Sequence, residues 1–290
     1  MRKLKIALPK GSLEEITIEL FERAGYKINK RERSYTPFID DNELEILLIR
    51  TQEIPLYVEK GVLDAGLAGN DWILERGVKI ERVRELVYSK QGLGRVRWVL
   101  AVPVNSKIRQ PKDLEGGKIA TELVEVTKNY LREKGVRAEV EFSWGATEVK
   151  PPYLVDAIVE LTETGRSLKA NNLRVIDTVL ESTTWLIANK LSWKDPWKRE
   201  KIENLAILLE GAINGLGKVG LKVNVSQDNL EKILKLLPAL RKPTISKLSE
   251  EGWWAVEIVL NEIQARELIP QIKKVGGEGI VEYPLNKVIY

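Results

Sequence analysis

Short apolar runs alternate with amphipathic stretches over residues 1–215, and most junctions between them carry glycine. Residues 3–8 predict a buried strand that breaks at Pro9-Lys10-Gly11-Ser12. Ser12 followed by Glu15 has the form of a capping box. Leu13, Ile16, Leu20 and Phe21 continue as a helix that Gly25 closes. Residues 44–49 predict a second strand ended by Arg50, then a helix with Pro55 in its first turn and Gly61 beyond its last. Residues 64–67 predict a third strand, which runs into Gly69-Asn70-Asp71 and a helix over 72–75. The near-continuous apolar run 96–102 predicts a central strand covered on both faces. A strand over 118–121, a helix over 124–134 stopped by Gly135 and a strand over 138–142 follow, with further strands over 175–180 and 183–188. Such alternation implies parallel sheets, with ligands in the crevice at the carboxyl ends of the strands.

The most informative stretch is 156–168. Strand alternation puts Ala157, Val159 and Leu161 on one face and Asp156, Ile158 and Glu160 on the other. Glu163-Thr164-Gly165-Arg166-Ser167 is a polar turn, and a helical pattern runs over 168–173. A strand that ends in a glycine turn and opens a helix presents free N–H groups and the positive end of a dipole, which suits phosphate. Thr164 and Ser167 add hydroxyls, and Arg166 adds a charge-assisted donor. Carboxylates at Asp156, Glu160 and Glu163 make sense there if the ligand also offers sugar hydroxyls or a magnesium ion. Lys10-Gly11 is a second such junction, with Lys10 as a point charge, and Gly69-Asn70-Asp71 a third. An ordinary strand–turn–helix with a capping Thr or Ser accounts for the same local pattern.

These segments imply one lobe at residues 1–93 with 181–215 and a second at 94–180, with the cleft at their boundary. A helix over 198–213 ends at Gly215-Leu216-Gly217. Residues 217–290 then read as strand 221–225, helix 227–237, strand 244–248, strand 253–260, helix 262–275 and strand 279–283. That β-α-β-β-α-β order is a ferredoxin-like unit, which by itself implies no function.

Composition narrows the chemistry. The 290 residues are 43% hydrophobic and 30% charged, an ordinary globular balance. No run approaches the roughly 20 apolar residues that span a bilayer. The start of the chain enters a strand pattern with no apolar signal region, so a cytoplasmic location is expected. A formal charge of +4, from 46 basic and 42 acidic residues, describes a mixed surface rather than a nucleic-acid groove. With no histidine and no cysteine, proton transfer falls to Asp, Glu, Lys, Tyr or water, and His- or Cys-based metal sites are excluded.

Six motifs, in order, carry a resemblance. They are Ile6-Ala7-Leu8-Pro9-Lys10-Gly11-Ser12-Leu13; the segment from Ile54-Pro55 through Gly61-Val62-Leu63-Asp64-Ala65-Gly66-Leu67-Ala68-Gly69-Asn70-Asp71; Gly117-Lys118-Ile119-Ala120-Thr121; Gly145-Ala146-Thr147-Glu148-Val149; residues 156–168; and Leu236-Leu237-Pro238 with Pro243-Thr244-Ile245. Together they span nearly the whole chain, which resembles the long form of the ATP phosphoribosyltransferases, the first enzymes of histidine biosynthesis. The resemblance implies an α/β fold: a two-lobe, type II periplasmic-binding-protein-like catalytic core followed by a ferredoxin-like (ACT-like) regulatory domain. It implies ATP and phosphoribosyl pyrophosphate as substrates, Mg²⁺ as cofactor, histidine as inhibitor and a homo-oligomer, dimer or hexamer, with no nucleic acid or membrane partner.

By the same resemblance, Lys10, Asp156 and Glu160 are the catalytic candidates. Glu163, Thr164, Gly165, Arg166, Ser167 and Thr121 would hold phosphoribosyl pyrophosphate, and Gly11, Arg50, Gly69, Asn70 and Asp71 would hold ATP. Asn224, Thr244 and Gly279 would meet histidine. Ser167 stands where the family usually has Thr, and Asn224 where some members have an Asp that grips histidine. The alternative is a bilobal small-molecule-binding or nucleotide-sensing protein without catalysis. Val175-Ile176-Asp177-Thr178 is a poor match to the acidic pair of type I phosphoribosyltransferases.

Overall fold

In the computed structural model the described residues are 2–30, 34–90, 92–238 and 243–290. The chain opens with β1 (Leu4–Lys10) and α1 (Glu14–Ala24). Next come β2 (Ile28–Asn29), β3 (Phe38–Ile39), β4 (Leu44–Arg50), α2 (Ile54–Glu59), β5 (Ala65–Gly69), α3 (Asn70–Arg76) and β6 (Glu81–Leu86). It crosses into β7 (Val96–Pro103), β8 (Lys118–Thr121), α4 (Val124–Lys134), β9 (Glu139–Phe142), β10 (Ala157–Thr162), α5 (Arg166–Ala170) and β11 (Leu173–Ser182). It returns through β12 (Thr184–Ala188), α6 (Lys190–Lys194) and α7 (Pro196–Gly215).

Two five-stranded sheets result. One has the order β4-β1-β5-β12-β6, with β1 parallel to both neighbours. The other has the order β11-β7-β10-β8-β9, with β8 parallel to both of its neighbours. The carboxyl ends of the parallel strands carry Lys10, Arg50 and Gly69 in the first lobe and Thr121 and Thr162 in the second. One core cluster joins Trp98, Leu100, Ala157 and Val159 of the second sheet to Trp72 of α3, so the two lobes share buried surface.

The compact units divide at Leu209 and Glu210, within α7. The second unit carries β13 (Lys218–Ser226), α8 (Gln227–Leu236), β14 (Thr244–Lys247), β15 (Trp253–Asn261), α9 (Glu262–Lys274) and β16 (Glu278–Pro284). Its antiparallel sheet has the order β14-β15-β13-β16, and Val219, Leu221, Val223 and Val225 pack against Ile233, Leu268 and Ile272 of its helices. Among the described residues no helix is long and apolar enough to cross a membrane.

Four local expectations change. The first helix starts at Glu14 with Leu13 before it and no side-chain cap. Gly11, at φ +118°, turns the chain so that its carbonyl accepts from the Glu14 N–H, and Ser12 lines a cavity instead of capping. The helix after the glycine turn ends at Ala170, and Leu173 opens β11. The strand β6 escapes the hydrophobic pattern because it is an edge strand with charged side chains, Glu81, Arg82, Arg84 and Glu85. In β10, Ile158 is as buried as Ala157 and Val159, while Leu161 is 40% exposed. Strand β10 lies between β7 and β8 with cores on both faces, so simple alternation does not hold.

Candidate active site between the two lobes

The first lobe builds its side of the site from three strand ends. Register places Lys10 directly beside Arg50. A Cβ on Gly11 would lie 3.2 Å from Arg50 Nη1, so the glycine lets the guanidinium approach the turn. Lys10 is already partnered: its Nζ lies 2.8 Å from Glu14 Oε2 and 5.8 Å from the Tyr35 ring centre, and Lys30 takes the other Glu14 oxygen. Hydrogen bonds and charge from Lys10 and Lys30 outweigh burial and hold the Glu14 carboxyl below its ordinary value.

Gly69 precedes α3 because a side chain there would collide with Asp71, whose Oδ1 lies 2.0 Å from the position of a Cβ. Asp71 is buried. Its Oδ2 accepts from Trp98 Nε1 at 2.8 Å and its Oδ1 from the Trp72 N–H at 2.9 Å, while its own N–H donates to Ser182 Oγ at 3.1 Å. Burial raises the Asp71 carboxyl above its ordinary value, and these donors pull it back only in part. Asn70 spends its side-chain oxygen on Arg82 at 2.7 Å.

The second lobe contributes carboxylates. Burial pushes Glu160 up to about 7; the nearby charges of Glu148 and Glu122 add to the rise, and a hydrogen bond from Thr147 opposes it. Thr147 also pairs with Ser143 at 2.9 Å. Glu122, directly after β8, is raised by burial and bonded by the Gln52 side chain of the other lobe. Glu163 accepts from Ser89 of the first lobe at 3.5 Å. In the glycine turn, Thr162 Oγ1 accepts the Gly165 N–H at 2.8 Å, and Ser167 donates its hydroxyl to Glu148. Gly165 has φ +73°, a conformation that glycine adopts without strain. Thr164, Arg166 and Ser167 are exposed beside it.

A cavity of about 280 Å³ lies between the lobes. Ser12, Thr51, Gln52, Gly69, Asp71, Trp72, Tyr88 and Ser89 line it from one side, and Trp98, Glu122, Glu160, Leu161 and Glu163 from the other. Tyr88 is wholly buried and its hydroxyl is pushed up to about 12 by burial. Glu122, Trp98, Tyr88, Thr51 and Gln52 were not singled out from sequence. Glu122 follows Thr121 directly, and the strand end was its only local signal.

Of the expected catalytic and substrate-binding residues, Gly69, Asp71, Glu160 and Glu163 line the cavity; Lys10, Gly11, Arg50, Asn70 and residues 164–167 are outside its lining, and Asp156 and Thr121 hold structural positions. Asp156 precedes β10 at the end opposite Glu160, roughly 13 Å away along a strand. Its carboxylate accepts the Lys118 N–H at 2.8 Å, so it clamps the start of the strand. Thr121 is wholly buried and its hydroxyl accepts the Leu123 N–H at 3.0 Å, which shapes the turn into α4. In the second unit, a Cβ on Gly279 would lie 2.9 Å from Asn224 Nδ2, so those two residues adjoin. Thr244 pairs with Glu257 while Asn224 pairs with Ala255 on the same strand, which puts Thr244 roughly 12 Å from Asn224.

Comparison with known proteins matches this arrangement. A family model described as ATP phosphoribosyltransferase matches residues 50–211, and one described as the HisG C-terminal domain matches residues 216–287. An ATP phosphoribosyltransferase of Solibacter usitatus is 61% identical over 286 residues, covering 99% of each chain. That of Thermodesulfovibrio yellowstonii is 59% identical, covering 99% of this chain and 98% of its own. Among solved structures, the ATP phosphoribosyl transferase (HisG:HisZ) complex from Thermotoga maritima aligns with a TM-score of 0.61 at 31% identity, over 71% of this chain and 96% of that one. The periplasmic aliphatic sulphonate binding protein of Escherichia coli shares the fold at a TM-score of 0.50 and 14% identity, over 94% of this chain and 87% of its own. The chain therefore belongs to the ATP phosphoribosyltransferase family, and it is a transferase of that family.

Proposed function

We propose that the interlobe cavity joins ATP to 5-phosphoribosyl 1-pyrophosphate, giving phosphoribosyl-ATP and pyrophosphate, the first step of histidine biosynthesis. The observation that carries this reading is the convergence of Asp71, Glu160 and Glu163 on one cavity between two lobes, with the paired Lys10 and Arg50 at the strand ends that lead into its lining residues Ser12 and Thr51. Adenine N1 donates its lone pair to the anomeric carbon from the face opposite the pyrophosphate. The carbon–oxygen bond breaks and the electron pair leaves on pyrophosphate. The protein needs no covalent intermediate; it holds two polyanions in line and stabilises the departing charge.

The cations Lys10 and Arg50 serve the phosphates of ATP or the pyrophosphate, and an incoming anion competes with Glu14 for Lys10. The turn Glu163-Thr164-Gly165-Arg166-Ser167 receives the ribose 5-phosphate, which displaces Glu148 from the Ser167 hydroxyl. Glu160 and Glu163 accept from the ribose hydroxyls. Among the described residues no group of three or more acidic side chains could cage a metal. Mg²⁺ needs only one or two carboxylates besides substrate phosphates, so the hard oxygens of Glu160 and Glu163 fit it. When bound it neutralises pyrophosphate charge.

The same reading makes the domain of residues 217–290 a histidine sensor, with Asn224 and Gly279 at the site, in a cytoplasmic homo-oligomer. Mixing the protein with ATP, phosphoribosyl pyrophosphate and Mg²⁺ tests the central claim. Formation of phosphoribosyl-ATP by absorbance, lost in Glu160→Ala, is the expected outcome; its absence from the wild type rejects the reading.

A further inference from the structure

Two residues that line the cavity each carry a buried polar atom with no hydrogen-bond partner among the described residues: Thr51 Oγ1 and Gln52 Oε1. They are consecutive, in the turn between β4 and α2. Gln52 and Glu122 share a side-chain hydrogen bond. A carboxylate only accepts, so the amide nitrogen of Gln52 faces Glu122 and its oxygen remains without a donor. The negative charge behind the amide also strengthens that oxygen as an acceptor. Thr51 offers a hydroxyl that can donate. A buried acceptor and a buried donor left unpaired are costly, and a ligand with the complementary groups offsets that cost.

The rest of the wall narrows the ligand group. Leu13, Trp72, Tyr88 and Trp98 line the same cavity, giving flat apolar surface for a heteroaromatic ring. The cations Lys10 and Arg50 lie at neighbouring strand ends, where a triphosphate belongs. A ring with an amino donor next to a ring-nitrogen acceptor fits the Thr51–Gln52 pair. Adenine has two such edges. Pairing through N1 and the 6-amino group blocks the reacting nitrogen. Pairing through N7 and the 6-amino group leaves N1 free.

We propose that Thr51 and Gln52 read the N7 and 6-amino edge of the adenine, a specificity role that rests on the ATP reading above. Gln52 Oε1 accepts from the 6-amino group and Thr51 donates its hydroxyl proton to N7. Electron density drawn toward N1 from the hydrogen-bonded amine favours attack on the ribose carbon.

Dissociation constants of the full chain test this with three nucleotides: ATP, purine riboside 5′-triphosphate, which lacks the amino group, and 7-deaza-ATP, which lacks N7. Each analogue should bind the wild type roughly tenfold more weakly than ATP, the cost of one hydrogen bond whose partner stays buried. Gln52→Met should weaken ATP by about the same factor and erase its advantage over purine riboside triphosphate, while keeping its advantage over 7-deaza-ATP. Thr51→Val, a near-isosteric change that keeps the test open if Gln52→Met fails to fold, should erase only the 7-deaza penalty. ATP binding with both ratios unchanged in the variants overturns this assignment alone. A wild-type chain that binds no ATP overturns it together with the reading beneath it.

Discussion

Trp98 Nε1 donates to Asp71 Oδ2 at 2.8 Å, and this bond ties β7 of the second sheet to α3, the helix that follows the third parallel strand of the first. The two lobes thus meet through a buried carboxylate, and the Trp98 ring stands edge-on to Trp72 at 6.3 Å. Removing the donor while leaving the acid buried is the costly change. Trp98→Phe should therefore destabilise the protein by about 1–3 kcal/mol in urea unfolding and lower kcat/KM. A variant as stable and active as wild type argues against this clasp.

Gly69→Ala should damage the same clasp from the other side, because its Cβ would fall 2.0 Å from Asp71 Oδ1. Moving Asp71 breaks its bond to Trp98. The expected result is weaker ATP binding and a lower melting temperature, read by calorimetry.

Glu75, on α3, accepts the N–H groups of Glu125 and Val126 at 3.1 and 3.0 Å and so caps α4 of the other lobe. That helix has no side-chain cap from its own preceding residue. Glu75→Ala should cost about 0.5–2 kcal/mol, as lost caps do, and Glu75→Gln clearly less, since an amide oxygen still accepts. Thermal melts of the two variants compare them directly.

Glu160 gives stability and activity a pH signature. Its folded-state value is pushed up to about 7, mainly by burial, from an ordinary value of 4.5. Between those values the folded state holds a proton that the unfolded state has released, so stability falls as pH rises through that window. Glu160→Gln should flatten the fall, gaining stability relative to wild type from roughly pH 5 to pH 8. If ionised Glu160 serves the reaction, kcat/KM should rise through about pH 7, and with no histidine in the chain no imidazole accounts for that limb. Parallel slopes in the two proteins remove Glu160 as the source.

Gly165→Val should raise KM for phosphoribosyl pyrophosphate by more than about tenfold, because φ +73° is costly for a branched residue. Nothing stands within 4 Å of a Cβ there, so the penalty is conformational and Gly165→Ala should be milder. In the second unit, Asn224→Asp should tighten inhibition by histidine roughly tenfold if the side chain meets the ammonium group. Equal inhibition of both proteins removes position 224 from the regulatory site.

The strand ends were legible in the sequence because a run of apolar residues broken by glycine marks the exit from a sheet. Lys10, Gly69 and Gly165 all sit at such exits, and the β-α-β-β-α-β order of the last unit follows from the same signals. Asp156 shows the limit: it and Glu160 belong to one motif, yet they lie at opposite ends of β10, and only the end facing the other lobe meets the cavity.

What the sequence alone determined was the family, the two-lobe α/β plan with its appended unit, and the glycine turns where a chain must leave a sheet. These depend on local sterics and on which positions are apolar. The tertiary structure alone decided that Glu122 meets Gln52, that Trp98 meets Asp71 and that Glu75 caps a helix of the other lobe. Each of those pairs joins segments at least 27 residues apart across two sheets. Their chemistry arises from burial and proximity, which no local pattern of residues encodes.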